Sequence, residues 1–192
     1  MTHPPVAAES HPSRVERRLA FAYGRTLVWA RLLLIGESAG LVAFLLVLFG
    51  NVPLPYVAIL AGVHGVAFVV YGVSPLFTQH WLTRSRIVLR QGWYFRASIP
   101  FSAIESIAPA DPEPRRVPLG IHRRLGRSAL YVTAGLTGLV EIRLSEPRRF
   151  FQAFGLAATS LVFDVTDRAA FLEAFEARRR LLAPVQAERA DP

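Results

Sequence analysis

The spacing of apolar positions changes character partway along the chain. From Leu32 to Gly50 the only acidic or basic residue is Glu37, and from Leu54 to Phe77 the only one is His64. At about 20 residues each, these runs match a hydrocarbon core of ~30 Å. Only Asn51, Val52 and Pro53 lie between them, room for a hairpin and nothing more. Past Trp81 the pattern turns alternating, which is the period of a half-buried strand. In LTRSRIVLRQGWYFRASIP, a three-residue loop with Gly92 left-handed pairs Leu89 with Trp93, Ile87 with Phe95 and Thr83 with Ile99, and this register gathers the apolar side chains on one face.

Further strands are expected at Ile104 to Ala108, Ala129 to Ala134, Leu139 to Leu144 and Leu161 to Val165, with residues 135–138 turning a hairpin between two of them. A helix from Asp167 to Leu182 carries Phe171, Ala174, Phe175 and Leu181 on one stripe, with Thr166 as its cap and Arg178, Arg179 and Arg180 in the last turn. At the other end, residues 1–12 read as a frayed tail, and Ser13 caps a short helix running through RVERRLAFAYGRTLVWARLLL into the first apolar run. The resulting organisation is a tail and basic juxtamembrane segment over 1–26, a transmembrane hairpin over 27–78, a folded domain over 79–182 and a disordered tail over 183–192.

Charge orients the hairpin. Arg14, Arg17, Arg18, Arg25 and Arg31 precede the first run and Arg84, Arg86 and Arg90 follow the second, whereas the turn carries no charge. Both termini are thereby expected on the cytoplasmic side of the inner membrane. Tyr23, Trp29, Phe77 and Trp81 stand where interfacial aromatics belong. The basic stretch ahead of the first run is too long for a cleaved signal. Within the runs, Gly36 with Gly40, and Gly62 and Gly65 with their neighbouring alanines, form small-residue notches for close helix packing, within one hairpin or between two copies. Glu37 and His64 are the costly positions, because a charge near the bilayer centre costs ~3 kcal/mol or more. A hydrogen bond between them across the hairpin is one solution; a proton path or metal site in an oligomer is another, and a protonated Glu37 solvated within an oligomer is the third.

Composition narrows the chemistry. With 52% hydrophobic residues and a mean hydropathy of +0.33, a mixed protein is expected, about a quarter of it in lipid. Cysteine is absent, so no thiol chemistry enters. All 22 basic residues are arginine, and residues 82–182 hold 16 of them against 9 acidic residues. The excess faces an anionic leaflet if the orientation holds. A Pro- and Gly-bearing insertion between 109 and 127 concentrates Arg115, Arg116, His122, Arg123, Arg124 and Arg127, candidates for lipid or partner contact, in a stretch expected to lack regular structure.

The segments LTRSRIVLRQGWYFRASIPFSAIESI, LVEIRLSEPRRF and LVFDVTDRAAFLEAF resemble bacterial pleckstrin-homology-like (PH-like) domains of membrane-anchored proteins. The likeness covers about residues 80 to 182. It implies an α+β unit, a bent antiparallel sheet or partly open barrel of about seven strands capped by a C-terminal helix, the seventh lying within 145–160, and it implies no catalytic residue. The residues themselves carry no HExxH, phosphate loop or GxSxG motif, no metal or cofactor set and no exposed stacking platform for nucleic acid. The expected function is a membrane accessory or scaffold whose cytoplasmic module binds a protein, a homo-oligomeric copy or anionic lipid. The alternative is an oligomeric conductor using Glu37 and His64.

Overall fold

The computed structural model describes residues 18–110, 117–123, 128–153 and 155–187. Two long apolar helices emerge from a unit of two β-sheets and one helix. Helix α1 spans Thr26–Phe49, and α2 begins at Leu54 after a turn in which Gly50 takes φ 67°. Helix α2 is regular to Ala67, winds as a π-helix over Phe68–Val73 and closes with a 3₁₀ turn over Ser74–Phe77. The π segment meets α1 at close quarters: a Cβ on Gly72 would lie 2.6 Å from Leu32 Cδ2. Each helix is 24 residues long when the π and 3₁₀ turns are counted, and almost none of either is buried.

The first sheet orders as β1-β2-β3-β4, with β1 Arg18–Phe21, β2 His80–Thr83, β3 Arg86–Gln91 and β4 Phe95–Pro100. Strand β1 therefore precedes the helical hairpin in the chain and pairs with β2, which comes after it: Phe21 lies opposite His80 and Arg18 opposite Thr83. This corrects the expectation of a juxtamembrane helix over RLAFAYG, while its expected cap Ser13 and residues 14–17 lie outside the described residues. The hairpin is an insertion in the β unit, and its ends leave from adjacent strands. Short and flanked by arginines, RLAF gives no local sign of the partner that makes it a strand.

The second sheet orders as β5-β8-β9-β7-β6, with β5 Ile104–Pro109, β6 Gly120–Arg123, β7 Ala129–Thr133, β8 Leu139–Phe150 and β9 Leu156–Asp164. Nine strands are thus present among the described residues, where the resemblance implied about seven. Segment 145–160 holds no separate strand, because β8 and β9 simply run long. Residues 135–138 do not close a hairpin: β9 lies between β7 and β8, antiparallel to β8 and parallel to β7, so the connection arches over the end of β9. The insertion is also not free of regular structure, since Gly120–Arg123 forms the edge strand β6 against β7.

The β3–β4 loop has three residues and Gly92 at φ 61°, as the left-handed position requires. The loop sits two residues further along than expected, so each partner moves by four: Gln91 faces Phe95, Leu89 faces Ala97 and not Trp93, and Ile87 faces Ile99 and not Phe95. An even shift preserves the side-chain faces, so Ile87, Leu89, Phe95, Ala97 and Ile99 still point into the core, but Trp93 is expelled to the turn. Helix α3, Arg168–Ala187, extends past the boundary expected at 182. Its cap is Asp167 and not Thr166: Asp167 Oδ1 accepts the Ala170 N–H at 2.9 Å, leaving the Thr166 N–H to bond Ala22 O.

The core fills the space between the sheets and under α3. Leu82, Ile87, Leu89 and Ile99 of the first sheet meet Leu130, Val140, Ile142 and Leu161 of the second. Phe171 of α3 sits edge-on to both Phe163 of β9 (5.5 Å) and Phe21 of β1 (5.0 Å), and Phe175 packs on Phe101. Phe171→Ala should therefore cost about 3–5 kcal/mol in denaturant unfolding of the detergent-solubilised protein, while Leu181→Ala, at an exposed position, should stay within about 0.5 kcal/mol.

Candidate functional site

Where the helices enter the β unit, the structure builds a buried polar junction. Asp164, the last residue of β9, points its carboxylate into the arch between β7 and β8. Oδ1 accepts the Ala134 N–H and Oδ2 the Gly24 N–H, both at 2.6 Å. The backbones at Gly24 and Gly135 touch: a Cβ on Gly24 would lie 2.5 Å from Gly135 Cα, so neither position admits a side chain without movement. The Leu27 N–H donates to Ala134 O at 2.9 Å and extends the junction into the first turn of α1. The second helix is fixed by hydroxyls. Tyr23 Oη donates to Pro75 O at 2.7 Å and accepts from the Thr78 hydroxyl at 2.6 Å, and the Gly92 and Trp93 N–H groups donate to Thr78 Oγ1 and Ser74 Oγ. Tyr23 is thus an interior residue and not an interfacial one.

An acid and an imidazole are buried here beside Tyr23. Loss of water pushes the Asp164 carboxyl up to about 6, against the lowering pull of its backbone N–H donors. The same cause pushes the His80 imidazole down to about 3. His80 Nδ1 accepts the Arg90 N–H at 3.1 Å, so the ring proton belongs on Nε2, which points toward the Asp164 main chain without closing a good hydrogen bond.

Beside this junction the outer face of the first sheet is cationic. The Trp81 indole lies between two guanidiniums, Arg18 at 5.2 Å and Arg90 at 5.0 Å. Arg90 stands directly opposite Arg96 across β3 and β4, and Arg90 Nε is buried without a hydrogen-bond partner. Like charges facing each other across a ladder are destabilising. A fourth cation, Arg31 of α1, lies over the touching rings of Tyr71 and Tyr94 and donates to Tyr94 Oη. Motif reading missed these groups, because strand alternation alone does not reveal which arginines share a face with which partners until the pairing of β1 with β2 is known.

The residues singled out in the sequence are dispersed. Arg115, Arg116, Arg124 and Arg127 lie outside the described residues. His122 and Arg123 are exposed on β6, with His122 Nε2 2.7 Å from Leu119 O. Glu37 is exposed, and His64 Nδ1 pairs with Leu60 O of its own helix at 2.9 Å, so the hydrogen bond across the hairpin is not formed. Gly36, Gly40, Gly62 and Gly65 have open space where a Cβ would be, and the close approach of the helices occurs instead at Leu32 and Gly72. Among the described residues no group of three or more His, Asp or Glu side chains could hold a metal ion. Compared with family models, curated proteins and solved structures, the chain matches none.

The two buried groups make stability depend on pH in opposite senses. Asp164, raised in the folded state, contributes stability that is complete below pH about 4 and is lost as pH rises through about 6; His80, lowered, contributes stability present above about 6.5 and lost as pH falls toward about 3. Between pH 4 and 6 the two slopes oppose each other. Asp164→Asn should leave His80 unopposed, so melting curves should show stability falling by up to about 1.4 kcal/mol per pH unit on acidification from pH 6 to 4, where the parent is nearly flat. Arg96→Gln relieves the facing charges and should raise stability by about 0.2–1 kcal/mol in neutral detergent at low salt.

Proposed function

We propose that the protein is an integral membrane scaffold that holds a PH-like module against the cytoplasmic face of the inner membrane for contact with anionic lipid and a protein partner. The observation that carries this reading is the nearly complete exposure of two 24-residue apolar helices. Such a helix is ~36 Å long at 1.5 Å per residue, enough for a hydrocarbon core of ~30 Å. Phe44, Leu48, Ile59 and Val66 are each about 60% exposed, an apolar surface far beyond what a monomer keeps in water.

Orientation and lipid contact rest on the arginines. Arg18, Arg25 and Arg31 lie at the base of α1, Arg84, Arg86 and Arg90 come after α2, and the turn between the helices has none. Near an anionic leaflet each such residue is worth about 1 kcal/mol of attraction. The facing Arg90 and Arg96 are a cost that an anionic surface would offset. The two sheets capped by α3 suit a binding module, and no catalytic role is proposed.

The absence of cysteine makes the test direct. In intact cells, Asn51→Cys should react with a membrane-impermeant maleimide, while Glu105→Cys should react only after lysis; both residues are exposed. Labelling of Glu105→Cys from outside, or release of the protein by an alkaline wash, would overturn the proposal.

A further inference from the structure

The β3–β4 turn places a large apolar side chain where the β unit has no use for it. Trp93 is 63% exposed, although the residues on either side are held tightly: Gly92 is buried and Tyr94 is half-buried against Arg31 and Tyr71. The turn is fastened to the end of the second apolar helix. Its Gly92 N–H bonds Thr78 Oγ1 at 2.9 Å and its Trp93 N–H bonds Ser74 Oγ at 3.0 Å, while Ser74 Oγ in turn donates to Val70 O at 2.5 Å. Trp93 is thereby pinned at the height of Ser74, three residues inside the end of the apolar run at Phe77. At ~2 Å per residue of 3₁₀ helix that is ~6 Å inside the end of the run. The same end of the helix also exposes Phe77 (77%), Leu76 and Tyr71.

We infer that the Gly92–Tyr94 turn is a third membrane contact, with the Trp93 indole seated in the headgroup and acyl boundary of the leaflet that the two helices enter. The inference rests on the membrane reading above and adds to it a fixed depth for the β unit. A depth of ~6 Å falls within the ~5–10 Å at which interfacial elements bury apolar side chains, and an indole suits that layer, with one apolar body and one N–H left for headgroup oxygens. Two main-chain hydrogen bonds to the helix base leave the turn little freedom to withdraw. The β unit is therefore held against the bilayer at two points, the helix junction and this turn, and presents the outer face of the first sheet, with Arg18, Arg90 and Arg96, at a set distance from the headgroups.

The test uses the full chain in vesicles of mixed phosphatidylcholine and phosphatidylglycerol, with or without brominated acyl chains. Trp29→Phe with Trp81→Phe leaves Trp93 as the sole tryptophan. A second protein, carrying Phe44→Trp with all three native tryptophans changed to Phe, reports on the helices alone. Trp93 should be shielded from acrylamide and quenched by lipid brominated near the carbonyl, and the Phe44→Trp protein by lipid brominated deeper in the chain. If the Phe44→Trp protein is quenched while Trp93 stays open to acrylamide and insensitive to bromine, the turn is not a membrane contact although the helices span. Shielding of Trp93 that grows with protein density and ignores bromination would assign the patch to a second copy and also overturn the inference. If neither protein is quenched, the membrane reading itself fails.

Discussion

One carboxylate holds the two halves of the molecule together. Asp164 accepts the Gly24 N–H on the way into α1 and the Ala134 N–H at the start of the arch over β9. Both donors are main-chain groups that burial would otherwise leave unpaired, at a cost of about 1–3 kcal/mol each. The two backbones can come this close to the carboxylate together only because both positions are glycine, with no room for a Cβ at either. The other ties depend on this one. Tyr23 reaches Pro75 and Thr78 only because the preceding strand and following helix are set by the Gly24 contact, and Thr78 in turn fixes the β3–β4 turn.

The arrangement explains why a hairpin that could have been a flexible tether is not one. A β unit joined to its helices by one linker would leave their relative orientation undefined. Here the chain enters the helices from β1 and returns into β2, neighbours in a single sheet, and each crossing point is pinned by hydrogen bonds to a different element. The π-helical turns of Phe68–Val73 belong to the same design, since winding with more residues per turn re-phases the last residues of the helix and brings Ser74 and Thr78 to face the loop they hold.

Local pattern makes much of this legible. The two apolar runs, the alternation that sends Ile87, Leu89, Phe95 and Ile99 inward, and the Phe171/Phe175 stripe of α3 are all properties of short windows, and the structure places them as the periodicity implies. The features that escape a local reading depend on distant partners. Arg18–Phe21 is a strand because of His80–Thr83, some 60 residues on, and Gly120–Arg123 is one because β7 offers it an edge. The β3–β4 loop sits two residues further along than expected, where hydroxyls on the helix base, absent from any reading of the loop itself, hold the Gly92 and Trp93 N–H groups. Asp164 reads as an ordinary acid at a strand end, and only the arch over β9 turns it into a clasp. The small-residue notches are legible as composition but not as contacts, because the helices meet at their base, at Leu32 and Gly72, and not along the glycines.

The pairing of β1 with β2 also dictates the order in which the molecule can be assembled. Arg18–Phe21 leaves the ribosome well before its partner, and nothing in the intervening chain offers it a ladder. It must wait as an unpaired edge until both helices have been made and their ends have come back together. Closure of the first sheet therefore records correct placement of the hairpin: a chain whose second helix fails to return leaves its β unit short of one strand.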